Sequence, residues 1–140
     1  MLTDSEGLEV LVEEECLKLL DSASLGRIAV TIGAVPAIFP VNYQLLDGQI
    51  LFRTGEGTKL HNASDSAVVA FEVDEVDEVT HEGWSVLAVG VAREVRDRML
   101  ASSVLERLPH PWAPGRRNHL IAIVPEFVSG RRIVQVPQPS

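Results

Sequence analysis

The residues best suited to chemistry lie where an apolar segment meets a glycine turn. Arg53, Thr58 and Lys59 stand in the sequence FRTGEGTKL. Backbone amides of the turn, a hydroxyl that caps a helix beginning near Lys59, and two cationic side chains would together suit an anion such as a phosphate. The spacing is not that of a P-loop, and Glu56 would repel a phosphate unless it points to solvent. An ordinary N-capped helix after a glycine turn is the alternative.

A β-hairpin is expected to position this stretch. Asp47-Gly48 predicts a two-residue turn, because both residues accept positive φ. Counting outward from the turn predicts the pairs Leu46–Gln49, Leu45–Ile50, Tyr43–Phe52, Asn42–Arg53 and Val41–Thr54. One face of the hairpin is then apolar and faces the core, while Asn42 and Arg53 become cross-strand neighbours on a more polar face.

The first strand of this hairpin carries two prolines of the same parity. Pro36 and Pro40 remove amide donors from one side of the strand, so that side cannot pair as the interior of a sheet. Two interpretations remain open. The prolines protect an edge from aggregation, or a flat ligand lies along it and uses the remaining backbone groups.

The rest of the chain is mostly strand-like. LVEEECLKLLDSA and MLASSVLERL predict short helices, GRIAVTI alternates as a half-buried strand, and AVVAFEV and WSVLAVGVAREV flank an acidic hairpin tip. HLIAIVPEFVSGRRIVQV predicts two final strands. With no βαβ alternation, the pattern predicts a mainly β (α+β) antiparallel barrel or sandwich, in one domain that spans residues 1–140.

Composition limits the partners. The chain has 20 acidic and 12 basic residues and a net charge of -8, which argues against a nucleic-acid-binding surface and a polybasic membrane patch. The longest apolar run is too short to span a bilayer. A single cysteine, Cys16, cannot form an internal disulfide and is expected to be buried in the first helix. A soluble, cytoplasmic protein is expected.

The order of these motifs resembles a known family. GRIAV, VPAIFPVNYQLLDGQILFRTGEGTKL and GWSVLAVGVAREV together resemble the pyridoxamine 5′-phosphate oxidase-like proteins of the flavin-binding split-barrel superfamily. The likeness spans roughly residues 17–133. It implies a six-stranded antiparallel Greek-key split barrel with short peripheral helices. It also implies a homodimer that binds flavin mononucleotide (FMN) at the subunit interface and acts on a small organic substrate.

The resemblance also implies cofactor-binding residues. Arg53, Thr58 and Lys59 would hold the flavin phosphate, and Pro40, Val41 and Asn42 would lie along the isoalloxazine ring. Phe52 and Thr54, on either side of Arg53, would add contacts. Trp84 and Ser85 match positions that approach the flavin from the partner subunit. Arg131 and Arg132 receive no substrate role, and the residues that hold pyridoxal phosphate in the true oxidase have no match.

Several alternatives remain at this point. Similar proteins include deazaflavin-dependent reductases, and a flavin- or haem-binding protein without turnover would share the pattern. The sequence shows no catalytic triad, paired carboxylates or metal-ligand spacing, so no metal site is predicted. His61, His81, His110 and His119 are interpreted as surface or packing residues. Trp112 is either a lid over the flavin or an aromatic packed under a proline-rich loop.

Overall fold

A computed structural model describes residues 2–5, 7–108 and 118–133. Its strands are β1 Leu2–Thr3, β2 Glu9–Leu11, β3 Leu25–Ile32, β4 Val35–Leu46, β5 Gln49–Thr54, β6 Ala67–Val76, β7 Gly83–Glu94 and β8 His119–Ile133. Its helices are α1 Glu13–Ser22, α2 Lys59–Ser64 and α3 Arg98–Leu105. None of the helices in these residues is long and apolar enough to cross a membrane.

Six strands close into an antiparallel barrel. Strands β8, β5, β4, β3, β6 and β7 are neighbours in that order, and β7 pairs back onto β8 to complete the ring. The short strands β1 and β2 add to β8 at the far end from β5. The prediction of a six-stranded antiparallel split barrel with short helices is confirmed.

The barrel interior holds the main core. Its largest fully buried side chains include Tyr43, Phe52 and Phe71, and the rings of Tyr43 and Phe71 meet edge to face at 4.9 Å. The Tyr43 hydroxyl donates a hydrogen bond to the Leu20 carbonyl at 2.6 Å, which fixes α1 against the barrel. Cys16 is fully buried as expected, and burial raises the pKa of its thiol.

The predicted hairpin is confirmed near its turn and wrong farther from it. Asp47 and Gly48 both have positive φ, and β4 pairs with β5 from Leu46–Gln49 to Tyr43–Phe52. The ladder ends there, so the predicted pairs Asn42–Arg53 and Val41–Thr54 do not form. Beyond this point, among the residues that the structure describes, β4 pairs with β3 alone, while β5 pairs with β8 as far as Thr54.

The prolines lie on the side of β4 that is left unpaired beyond the end of the ladder. The Tyr43 amide donates to Ser24, so odd-numbered amides in β4 face β3 and even-numbered positions face the other side. Pro36 and Pro40 lie on that other side, and in the described part of the chain no strand pairs with it between Val35 and Asn42. The predicted open proline edge is therefore present.

The C-terminal segment corrects another prediction. In place of two strands, the structure has the single strand β8, which spans His119–Ile133. Val89 pairs with Phe127 and the next residue, Gly90, pairs with Pro125, so the register shifts by one residue within the strand. A β-bulge lets the strand continue past a proline that cannot donate to the ladder.

Candidate functional site

The glycine turn after β5 leads directly into α2. Gly57 has a φ of +73°, a conformation that favours glycine. Thr58 is the N-cap residue: its Oγ1 accepts a hydrogen bond from the His61 amide at 3.0 Å and donates one to the Gly55 carbonyl at 2.9 Å. The prediction that Thr58 caps a helix is confirmed, and the cap uses the hydroxyl group.

Arg53 connects the end of β5 to α3. Its Nη2 donates hydrogen bonds to the carbonyl of Leu105 and, at 3.2 Å, to that of Leu108. A guanidinium here satisfies carbonyls that the end of a helix leaves without partners. Arg53 therefore has a structural role that its position in the sequence did not predict.

Two buried polar atoms at the end of β5 lack partners. Arg53 Nε and Thr54 Oγ1 are buried, and neither makes a hydrogen bond within the described residues. Buried polar atoms normally have partners, and leaving one unsatisfied costs about 1–3 kcal/mol. Lys59 is exposed and forms no salt bridge in the same part of the chain. Arg53 Nε and the exposed Lys59 thus offer a donor and a cation suited to an anionic ligand, whereas the Thr54 side chain is fully buried on the opposite face of β5.

Glu56 does not oppose that interpretation. Its side chain is 85% exposed, and its Oε2 lies 3.9 Å from His119 Nε2. The carboxylate therefore points toward a histidine and solvent, as an anion-binding turn requires.

The predicted ring-binding segment lies on the open proline edge. Pro40 is exposed, Val41 is buried in the core, and Asn42 is partly buried with its Nδ2 3.5 Å from the Ser24 carbonyl. Phe52 is fully buried in the barrel interior and pairs with Tyr43 on β4 and Ile121 on β8, so the structure does not expose it to a ligand as the prediction required.

Trp84 and Ser85 lie in a different part of the chain. They line a cleft of 320 Å³ together with Glu72 and Asp74. Trp84 pairs with Arg132 on β8, whereas Arg53 pairs with Leu120. Those two β8 residues are 12 positions apart, a contour of about 40 Å. Within one chain, Trp84 and Ser85 therefore lie far along β8 from Arg53 and the end of β5.

Charged groups surround the cleft at Trp84. Burial, with a further contribution from the neighbouring Asp74, raises the pKa of Glu72 to about 7. Arg27 lies 3.6 Å from Glu72 and 3.7 Å from Asp74 and offsets part of this effect.

Arg131 donates a hydrogen bond to Asp4 at 3.0 Å, and Arg132 donates one to Glu15 at 3.2 Å. Arg131 thus contacts the residue that follows β1, and Arg132 contacts α1.

Comparison with known proteins identifies the family. The family profile described as pyridoxamine 5′-phosphate oxidase matches residues 12–132. The chain belongs to the pyridoxamine 5′-phosphate oxidase-like family. The resemblance seen in the sequence is confirmed, and the observed barrel is the fold expected for this family.

Similar proteins are found in mycobacteria and in Mesorhizobium loti. The chain is 39% identical to the uncharacterised protein Rv0080 of Mycobacterium tuberculosis, covering 89% of this chain and 84% of that protein. It is 36% identical to a Mycobacterium smegmatis protein described as FAD binding, with a TM-score of 0.72 and coverage of 91% and 99%. A Mesorhizobium loti FAD-binding protein, 23% identical, supports the fold alone, with a TM-score of 0.75 and coverage of 91% and 99%.

One group of polar residues was not predicted to come together. His61, Glu94 and His119 meet at the end of the barrel beside α2. They lie on α2, β7 and β8, with 33 positions between His61 and Glu94 and 25 between Glu94 and His119. No spacing pattern in the sequence therefore predicts that they meet. Only the closure of the barrel around β8 brings them together. Trp112 and His110 lie outside the described residues.

Proposed function

We propose that this member of the pyridoxamine 5′-phosphate oxidase-like family is a cytoplasmic, flavin-dependent oxidoreductase that binds FMN and acts on a small organic molecule. The observation that carries the proposal is the buried Arg53 Nε, which has no partner among the described residues, on the strand that leads through the glycine turn to the exposed Lys59. These groups fit the phosphate of a flavin. Family membership and the FAD-binding relative from M. smegmatis support a flavin as the ligand.

Several of the predicted residues have a role in this proposal. Lys59 and Arg53 neutralise the phosphate, and amides of the glycine turn donate to its oxygens. The backbone of Pro40, Val41 and Asn42, on the open proline edge, supports the edge of the ring. A bound flavin would supply hydride transfer, and the protein positions the ring and excludes water.

The proposal includes a homodimer, because Trp84 and Ser85 reach a flavin held at β5 from a second chain. A row of apolar side chains on the outer surface of the barrel supports an interface between two chains. Each residue of the row is the cross-strand partner of the next one, on the five adjacent strands β4, β3, β6, β7 and β8. The row consists of Ile38, Ala29, Ala70, Val89 and Phe127. Ile38 and Phe127 are 68% and 71% exposed in the single chain. An exposed apolar patch of this kind marks an interaction surface.

Identification of the bound molecule tests the cofactor. The purified protein is denatured, and mass spectrometry of the released small molecule distinguishes FMN, FAD and a deazaflavin. FMN is the expected result. Release of a deazaflavin, or of haem with no flavin, would overturn the proposal. Reduction of the bound flavin by a nicotinamide donor, followed by reoxidation by an organic acceptor, separates an oxidoreductase from a binding protein without turnover.

Variants test the phosphate contacts. The double variant Arg53→Ala/Lys59→Ala should lose the flavin while remaining a folded dimer. Lys18→Ala is the matched control, because this exposed lysine lies on α1 and pairs only with Glu14, at 3.9 Å, within the described chain. Retention of flavin by the double variant at the affinity of the parent would show that the phosphate lies elsewhere.

The dimer is tested by sedimentation. The parent should sediment as a dimer and Phe127→Asp as a monomer, because a carboxylate in a buried apolar interface lacks a partner. Val79→Asp is the control, since Val79 is 91% exposed in the β6–β7 turn, outside the apolar row. A parent protein that is monomeric and still binds flavin would contradict the interface.

A further inference from the structure

A cluster of two histidines and one glutamate joins α2, β7 and β8. Glu94 Oε1 lies 3.0 Å from His119 Nδ1 and also contacts His61 Nε2. The two imidazole rings stack with centroids 4.5 Å apart and planes inclined at 29°. The exposed fractions of the side chains are 15% for His61, 13% for Glu94 and 30% for His119. Three potential metal ligands thus share one partly buried position.

The backbone holds all three residues in place. The Glu94 amide donates to Asp65 Oδ1 at 2.9 Å, and the amide of the next residue, Val95, donates to the Leu120 carbonyl at 2.9 Å. The His61 amide donates to the N-cap at Thr58. Since each residue lies on or beside a hydrogen-bonded element, the arrangement needs little ordering when a ligand binds.

Hydrogen bonding alone leaves this cluster poorly satisfied. A single oxygen, Glu94 Oε1, contacts a ring nitrogen of both His61 and His119. The other ring nitrogen of His61, Nδ1, is buried and has no partner among the described residues. The ligand atoms of all three side chains lie within 4.8 Å of one another. Two neutral imidazoles and one carboxylate form a donor set that binds zinc and related divalent transition metals with an open coordination position.

We propose that His61, Glu94 and His119 bind one divalent transition-metal cation, with zinc as the representative ion. The ligand atoms are His61 Nε2, Glu94 Oε1 and His119 Nδ1. Glu56 then has a role: its carboxylate, 3.9 Å from His119 Nε2, lies behind the ring that binds the metal. A carboxylate orients a ligating histidine and increases its basicity when it accepts a hydrogen bond from the free ring nitrogen, and the exposed Glu56 side chain would need to approach His119 Nε2 by less than roughly 1.5 Å to do so.

The surroundings allow a cation to bind. Among the described residues, Arg96 places a positive charge beside the cluster, with its Nε 3.7 Å from Glu94 Oε2, the oxygen that does not face the histidines. Arg96 also pairs with Asp65, and its side chain is 66% exposed, so solvent screens its charge. On the open side, Glu94 and His119 line a cleft of 480 Å³ that reaches α3. A water molecule or small ligand can therefore complete the coordination.

Direct metal binding tests this inference independently of the flavin. The protein is prepared without an affinity tag and treated with a chelator. It is then titrated with Zn²⁺ by calorimetry and with Co²⁺ by absorption spectroscopy. One ion per chain is expected. His61→Gln, Glu94→Gln and His119→Gln should each weaken binding by more than about a hundredfold, and Glu56→Gln by about tenfold.

Matched variants separate this site from other histidines and acids. His81→Asn and Glu82→Gln lie in the β6–β7 turn and should bind Zn²⁺ as the parent does. Asparagine suits the positive φ of His81, 59°, so this control preserves the turn. The proposal is wrong if the parent binds no more Zn²⁺ than the triple variant His61→Gln/Glu94→Gln/His119→Gln. It is also wrong if each single variant keeps the affinity of the parent.

Discussion

Replacing Arg53 with alanine should destabilise the flavin-free protein. Arg53 Nη2 is the donor in two hydrogen bonds to the carbonyls of Leu105 and Leu108. A hydrogen bond from a charged group contributes about 1.5–3 kcal/mol. Because Arg53 is partly exposed and water can replace part of the interaction, we expect Arg53→Ala to lower the free energy of unfolding by about 2–4 kcal/mol.

The consequence should be measurable in thermal unfolding. For a chain of this length, a loss of about 3 kcal/mol lowers Tm by roughly 10 °C. Lys59→Ala is the control: its side chain is exposed and has no salt-bridge partner in the described structure, so its free energy should change by less than about 0.5 kcal/mol. Both variants are compared without flavin and at one protein concentration, because ligand binding and dimerisation also raise Tm.

Hydrogen exchange locates the effect. In Arg53→Ala, amides of α3 should exchange faster than in the parent, while those of β6 should be affected only through global unfolding. Equal Tm values for the parent and Arg53→Ala, with unchanged exchange in α3, would refute the structural role assigned to this arginine.

Three further variants probe other parts of the barrel. Hydrogen bonds from the Glu94 amide and Arg96 hold the pKa of Asp65 below its usual range. The stability that this carboxylate contributes is therefore present above its pKa in the unfolded chain and is lost as pH falls through its pKa in the folded protein. Asp65→Asn should remove this pH dependence, as measured by denaturation at a series of pH values. Glu72 should affect stability in the opposite direction, because its pKa is raised to about 7 in the folded protein. Stability should fall as pH rises from about 4.5 to 7, and Glu72→Gln should flatten that part of the plot of Tm against pH. Gly90→Ala places a Cβ atom 2.0 Å from the Val124 carbonyl and should cost about 3 kcal/mol in urea unfolding, because the bulge backbone must move.

Local signals in the sequence predicted much of the barrel. The Asp47-Gly48 turn fixed the register of the hairpin, because positive φ at both positions admits one tight turn geometry. The same counting failed at Asn42. There the β4–β5 ladder ends, while β5 continues to pair with β8 on its other side as far as Thr54; where a ladder ends in a closed barrel depends on long-range packing as well as on the residues of the hairpin.

The site was predictable only in part. The glycine turn and the cap at Thr58 follow from local sequence, because their hydrogen bonds join residues a few positions apart. The attachment of Arg53 to α3 joins residues 52 and 55 positions apart. The cluster at Glu94 likewise depends on long-range packing. Such contacts have no periodic or spacing signature in a single sequence.

The position of β8 has a consequence for how the protein folds. This strand pairs with β2, β5 and β7, so the ring of strands lacks its closing member until residue 133 has been synthesised. Pairing between such distant segments is slow, because the chain pays the loop-closure entropy before the contacts form. A nascent chain that ends before β8 therefore exposes the edges of β5 and β7, and the native barrel forms only when β8 is available to pair with both.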